Sequence, residues 1–266
     1  MPLRMGFSSL RWKEPDLERA LDALATAGWD GWEARLSPEW LGTPGRLRRV
    51  CADAGMPLAV YTGGSPDQRD RAHVEVNRRR MEYAAEMEVD CFMFMSGPKP
   101  KGRAVTREDI QAAAAGAEEW AEYAAQFGLE LSYHIHTNTL IDSSRDWTFY
   151  MSLLERAKLC IDVSHAQLWG YDPVASLRDF RDQLNYVHLQ DFTEYSRDED
   201  GTYLPQWCDV GAAANVDFPA VLSTLVEIEY DRWVTSVPGG GHDNDCEVAE
   251  AERSAAARRY LRELGY

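Results

Sequence analysis

The stretch YHIHTNTLIDS, residues 133–143, sets His134 and His136 two apart and follows them with Asn138, Thr139 and Asp142. On an extended strand that spacing directs both imidazoles to one side. Two polar rings on one face are costly in an ordinary core, so either the face is a site or the rings find buried hydrogen-bond partners. Two further segments add to the question. CIDVSHAQLWG places Asp162 three residues before His165, and NYVHLQDF places His188 three before Asp191. Asp162 is flanked by Cys160, Ile161 and Val163, a poor setting for a charge unless it is paired or binds a metal. Asp162, His188 and either His134 or His136 would converge if their strands are neighbours. Imidazole and carboxylate with an open position suit zinc, manganese or another divalent cation. Each residue also has a plain structural reading. A strand histidine is commonly a hydrogen-bonded core residue, Asp162 could cap a helix or pair with a buried arginine, and Asn138 and Thr139 are ordinary turn residues. It is the clustering of several such groups that favours a site.

Short apolar segments alternate with amphipathic ones along the whole chain. Strands are expected at 4–9, 31–36, 58–63, 91–96, 130–135, 159–164, 185–190 and 232–237. The intervening helices carry start and stop signals: Pro15 and Gly28 bracket the first, Pro44 opens the second, and Thr106 with Asp109 forms a capping pattern that runs on to Gly128. Eight strand–helix units of this length predict an all-parallel sheet closed into a (β/α)8 TIM barrel, read as a single domain over 1–266. A doubly wound open sheet is the rival, weakened by the lack of a dinucleotide-binding glycine pattern after the first strand, so no nucleotide cofactor is expected. In such a barrel the chemistry sits at the C-terminal ends of the strands. Of the six histidines, His134, His136, His165, His188 and His242 all fall at or just after strand ends, and only His73 lies in a helix. Trp12, Trp32, Tyr133, Trp169 and Trp207 fall near the same mouth, as a substrate wall or as packing.

The bulk composition narrows the partners. A net charge of −16 repels a phosphate backbone, so nucleic acid is not expected. The opening MPLRMGFSSLRWKEP lacks an apolar run of signal-peptide length, and no segment approaches a membrane span. The five cysteines, Cys51, Cys91, Cys160, Cys208 and Cys246, have no metal-like spacing and read as reduced, mostly buried thiols. These features together predict a cytoplasmic protein. The loop GPKPKGR at 97–103 offers Lys99, Lys101 and Arg103 to an anion, although a solvated turn is the favoured reading.

The motifs resemble the xylose isomerase-like TIM barrel superfamily, which includes sugar phosphate isomerases and epimerases, inosose and 3-dehydroshikimate dehydratases, and apurinic-site endonucleases. AGWDGWEARL is similar to the second-strand segment, with its acidic residue at Glu33, and HTNTLIDS resembles the fifth-strand loop of the dehydratase branch. CIDVSHAQLWGYDP and NYVHLQDF resemble the sixth- and seventh-strand motifs, and DVGAAANVDFPAVLSTL a glycine-rich turn before a short helix. The family's single divalent ion is held by a fifth-strand Glu, a sixth-strand Asp, a seventh-strand His and an eighth-strand Glu. The resemblance therefore implies Asp162 and His188 as ligands, with His134 at the fifth-strand position and His165 as a substrate-contacting histidine. No carboxylate stands near Ser236 or Val237, where the eighth-strand Glu belongs; Asp243 or His242 would have to replace it. Gln190 stands where Lys is usual.

Without two opposed glutamates, dehydration or single-face isomerisation fits better than epimerisation. The expected enzyme is a lyase or isomerase that abstracts a proton next to a carbonyl of a polyol or sugar-like substrate. His134, Asp162 and His188 are expected to bind Mn, Zn, Mg or Co. His136 or His165 would be the acid/base, and Glu33 a substrate ligand or second proton-transfer group. Substrate contacts are expected from Trp12, Tyr133, Asn138, Trp169, Gln190 and Asp191. A metal-free, histidine-based enzyme and a non-catalytic binding barrel are the alternatives, and a homo-oligomer is allowed. The arrangement requires the Asp162 and His188 side chains to share one water-accessible cup with at least one imidazole from position 134 or 136.

Overall fold

The computed structural model describes residues 2–10, 12, 16–66, 70–240 and 247–266. Eight strands close into a barrel: β1 (Arg4–Ser8), β2 (Gly31–Ala34), β3 (Leu58–Thr62), β4 (Cys91–Met95), β5 (Glu130–His134), β6 (Lys158–Asp162), β7 (Leu184–Leu189) and β10 (Trp233–Ser236). Neighbours run in that order, and β10 returns to pair with β1. Every barrel pair is parallel. The eight expected strands are thus the eight staves, with bounds that shift by at most two residues.

The strands alternate faces as the pleat requires. Outward residues such as Phe92, Phe94, Leu131, Tyr133, Ile161 and Val187 join the large core shared with the helices, whereas Val60, Cys91, Met93, Cys160, Tyr186 and Trp233 form a separate buried cluster. That second cluster is the filling of the barrel. Trp233 plugs its base, where its Nε1–H donates to Asp90 at 2.7 Å and the Arg4 guanidinium lies 4.6 Å over its ring. The indole leaves no room opposite: a Cβ on Gly31 would come within 2.6 Å of it, so only glycine fits that stave.

The outer layer consists of α1 (Leu17–Ala27), α3 (Pro44–Ala54), α4 (Arg71–Glu86), α5 (Arg107–Ala125), α6 (Ser144–Met151), α8 (Pro173–Asp179), α9 (Phe218–Glu227) and α10 (Glu247–Glu263). The expected Thr106–Asp109 capping box is formed, with each side chain accepting from the other's backbone N–H. A single turn, α2 (Pro38–Leu41), precedes α3. Among the described residues no helix is long and apolar enough to cross a membrane. Cys51, Cys91, Cys160 and Cys208 are free thiols, and Cys246 lies outside the described residues.

Two elements were not expected. The sixth strand stops at Asp162 rather than Ser164, because the Asp162 side chain accepts from the Ser164 N–H at 2.9 Å and starts α7 (Val163–Leu168). An antiparallel hairpin of β8 (Asp191–Arg197) and β9 (Tyr203–Cys208) is inserted between β7 and α9. Its tip is set by Asp198, whose Oδ1 accepts from Asp200 and Thr202 N–H groups at 3.0 and 2.8 Å, and by Gly201 at φ 79°. Asn138 fastens the hairpin to the barrel: its Nδ2 donates to the Tyr203 carbonyl and its Oδ1 accepts from the Tyr203 N–H, both at 2.8 Å. Replacing Asn138 by Ala removes both bonds at a residue held at φ 66°, a local loss of about 1–3 kcal/mol. Hydrogen exchange followed by mass spectrometry should then speed up across 191–208 while the barrel strands keep their protection.

Candidate active site and metal centre

At the C-terminal end of the barrel the inward positions of β2, β5, β6 and β7 are Glu33, His134, Asp162 and His188, all buried. Strand pairing brings the last three together: His134 lies beside Cys160, and Asp162 beside His188. His165 joins them from α7. Asp162 is the N-cap of that helix and His165 its third residue, so the first turn folds the imidazole back over the carboxylate. The His165 and Asp162 side chains approach to 4.0 Å.

The two oxygens of Asp162 have different surroundings. Oδ1 accepts from the Ser164 backbone N–H at 2.9 Å and from the Ser164 hydroxyl at 2.5 Å. Oδ2 lies 3.8 Å from His134 Nε2, 4.0 Å from His165 Nε2 and 3.9 Å from His188 Nδ1. None of those three nitrogens has a hydrogen-bond partner, although all are buried. The other nitrogen of each ring is engaged. His134 Nδ1 is 3.1 Å from Met95 Sδ, His165 Nδ1 is 3.0 Å from Thr137 Oγ1, and His188 Nε2 is 2.7 Å from Glu33 Oε2. The carboxylate on His188 fixes its tautomer, with the proton on Nε2 and a lone pair on Nδ1 aimed at the centre.

These orphaned atoms fit a cation. Donors bonded at 2.0–2.2 Å to one tetrahedral ion stand roughly 3.3–3.6 Å apart, a few tenths of an ångström inside the separations seen around Asp162 Oδ2. His134, Asp162 and His165 offer atoms within 4.8 Å of one another, as do His134, Cys160 and His188. The expected ligands thus fall in two groups that share His134: Asp162 with His134 and His165, and His188 with His134 and Cys160, the two linked by the 3.9 Å approach of His188 Nδ1 to Asp162 Oδ2. No carboxylate occupies β10, and His242 and Asp243 lie outside the described residues.

Glu33 differs from its expected role in proton transfer or substrate binding. Its carboxylate accepts from Ser8 at 2.6 Å, Arg35 Nε at 2.6 Å, Tyr186 at 2.8 Å and His188 at 2.7 Å. Burial works against its charge, but Arg35 and His188 more than offset this and hold the carboxyl well below the usual range. An anion saturated by four donors is a fixed brace rather than a mobile base. His136 is partly exposed, and its Nδ1 donates to the Thr137 carbonyl at 2.7 Å, which leaves the Nε2 lone pair free. Its ring centroid is 3.7 Å from that of His165. Burial first, and His165 second, push the His136 imidazole down to about 3, and burial pushes His165 to about 3. Both are uncharged at neutral pH.

The substrate-binding expectations divide. Tyr133 faces the helices, fully buried against Tyr150 with ring centroids 4.7 Å apart, because it alternates with the inward His134. Trp12 is buried in a stack on Trp32, and Trp169 packs on Trp147 while its Nε1–H donates to Asp142. Asn138 spends both ends of its amide on the hairpin. These four have packing or bracing roles. Gln190 links β7 to β8 and Asp191 opens β8, both buried, with burial raising the Asp191 carboxyl against the Phe192, Val216 and Ala213 N–H groups. Lys99 is ion-paired with Asp142 and Arg103 with Asp109, which occupies two of the three cations of the 97–103 segment. Arg35, which the sequence did not single out, is braced on Glu33, and Trp207 of β9, one of the aromatics expected near the mouth, has its ring centroid 5.2 Å from that of His165. The signal for the hairpin was present in Asp200-Gly201 between alternating segments. The groups converge as required but are sealed rather than water-accessible, with Asp162 only 3% exposed and His188 not at all.

A closed parallel barrel with a polar cluster at the C-terminal mouth is the architecture of TIM-barrel enzymes. The model of the family described as xylose isomerase-like TIM barrel matches residues 21–264, and the chain belongs to that family. It is 25% identical to the inosose dehydratase of Geobacillus kaustophilus in an alignment that covers 88% of this chain and 86% of that one. A solved L-ribulose 3-epimerase superposes with a TM-score of 0.77 at 18% identity, over 99% of this chain and 94% of that one. The D-allulose 3-epimerase of Methylomonas sp. in complex with D-allulose superposes at 0.76 with 18% identity, over 99% and 97%. Replacing Glu33 by Gln leaves the Arg35 charge without its partner and weakens the brace on His188. Denaturant unfolding should show a loss on the order of 3 kcal/mol.

Proposed function

We propose that the chain is a lyase or isomerase of polyhydroxylated, sugar- or cyclitol-like substrates, and that it removes a proton next to a carbonyl at a divalent-metal centre. The observation that carries this reading is the set of three unpartnered imidazole nitrogens around the free oxygen of Asp162. Buried polar atoms normally find partners, and atoms that converge without any are matched by a cation. His134, Asp162 and His188 would hold it. A bound divalent ion supplies Lewis acidity that polarises a substrate carbonyl.

The chain's own residues supply the rest. Glu33 fixes the tautomer and orientation of His188. His136 keeps an Nε2 lone pair and is itself partly exposed, and being neutral it begins as a proton acceptor. It takes a proton from the carbon next to the carbonyl; the C–H electron pair forms a double bond to the carbonyl carbon as the carbonyl π pair moves onto its oxygen. For the isomer, the hydroxyl on the deprotonated carbon passes its proton to that oxygen and becomes the new carbonyl, while the former carbonyl carbon takes back the proton held by His136. For dehydration, the oxygen's pair re-forms the carbonyl, the double bond shifts to the next pair of carbons, and the hydroxyl there leaves as water with the proton held by His136. An acceptor on one face only, with Glu33 already saturated, favours dehydration or single-face isomerisation over two-sided epimerisation. The likeness to an inosose dehydratase supports the same reading and names a cyclitol ketone as the substrate to try first. Trp207 offers an apolar face and Arg35 a guanidinium at the same mouth.

Protein purified without chelator or a nickel column should carry close to one divalent ion per chain, and His188→Ala less than about a tenth of one. Full turnover of an inosose by metal-free protein would overturn the metal-centred reading. His136→Gln should lower kcat/KM by about 10²–10⁴-fold with its metal content unchanged. Loss of the ion together with the activity in that variant would instead make His136 part of the metal-binding apparatus.

A further inference from the structure

We infer that His165 is itself a metal ligand, so that the donor set is three imidazoles and one carboxylate and the centre selects a borderline ion, Zn²⁺ or Co²⁺, over Mg²⁺. This rests on the metal-centred reading given above and goes beyond it in both the ligand and the ion. His165 meets the same geometric conditions as the other two histidines. Its Nε2 is buried, unpartnered and 4.0 Å from Asp162 Oδ2. Its Nδ1 is engaged by Thr137 Oγ1 at 3.0 Å, which leaves Nε2 to face the centre. The N-cap bond from Ser164 to Asp162 Oδ1 holds the α7 turn that delivers it. No other donor of comparable placement comes from β10, whose residues Trp233–Ser236 include no carboxylate.

The chemistry of the donors sets the ion. Oxygen-only or carboxylate-rich sites suit Mg²⁺, Ca²⁺ and Mn²⁺, whereas imidazole nitrogens suit Zn²⁺, Co²⁺, Fe²⁺ and Cu²⁺. One of the two carboxylates near the centre, Glu33, is withdrawn by its four donors and leaves a single anionic ligand. Below the centre lies a soft donor, Cys160, whose sulfur is within 4.8 Å of nitrogens of His134 and His188. A hard, strongly hydrated ion would exchange oxygen ligands for nitrogen at a loss, among side chains nearly closed to water.

The test is metal binding, read without turnover. Chelator-stripped protein is titrated separately with Zn²⁺, Co²⁺, Mn²⁺ and Mg²⁺, and X-ray absorption of the zinc-loaded wild type counts the imidazole ligands. Expected are one equivalent of Zn²⁺, three imidazoles in its shell, and binding of Mg²⁺ at least about a hundredfold weaker. His165→Ala should weaken Zn²⁺ at least about tenfold and change the visible bands of the Co²⁺ form. A shell of two imidazoles in the wild type overturns His165 ligation whether or not the variant folds, while the metal-centred reading stands. Binding of Mg²⁺ as tight as that of Zn²⁺ overturns the selectivity. Uptake of none of the four ions by the wild type overturns both this inference and the metal-centred reading beneath it.

Discussion

The carboxylate of Asp162 is divided between structure and chemistry, and the arrangement of the mouth depends on that division. Oδ1 ends β6 and begins α7 by accepting from both polar groups of Ser164, and Oδ2 is left facing three imidazole nitrogens that have no hydrogen-bond partner. The cap is the reason His165 is present at all, since the first turn of α7 carries it from the strand end back into the barrel. A buried carboxylate oxygen that no hydrogen-bond donor reaches is costly unless something positive joins it. The fold thus contains a local electrostatic deficit at the place where barrel enzymes conduct their chemistry.

Glu33 shows the opposite outcome for the same functional group. It sits in the same layer of the barrel, equally buried, but donors from β1, the end of β2 and β7 meet it on both oxygens. It is therefore ionised and immobile, and its effect is exerted through His188. The pair shows why a carboxylate's type and burial do not assign its role. The number of hydrogen-bond donors aimed at each oxygen does.

The hairpin of β8 and β9 supplies what the strand ends lack. It brings Trp207 against His165 and is held by Asn138, so the fifth-strand loop and the seventh-strand insertion act as one cover. Phe192 packs beside Trp207, with ring centroids 6.2 Å apart. The cover accounts for the near-complete burial of a cluster that four ordinary strand ends would have left open. It also places an aromatic surface, rather than a charged one, next to the imidazoles.

Much of this was legible in the sequence because it is local. Alternation identified the eight staves, the Thr106–Asp109 spacing a capping box, and the two-residue and three-residue spacings in 133–143 and 160–165 a polar cluster. The same alternation, followed strictly, would have turned Tyr133 away from the site that His134 faces. The Asp200-Gly201 turn was readable as a hairpin but carried no sign of where the hairpin would dock. What only the tertiary structure decided is which atoms of each polar residue are already occupied. His188 and Glu33 are 155 residues apart in the chain and 2.7 Å apart in space. Periodicity determines which face a side chain takes, because that is a property of neighbouring backbone angles. Whether an oxygen or nitrogen on that face is satisfied depends on strands brought beside it by barrel closure, and that is where a brace and a metal ligand part company.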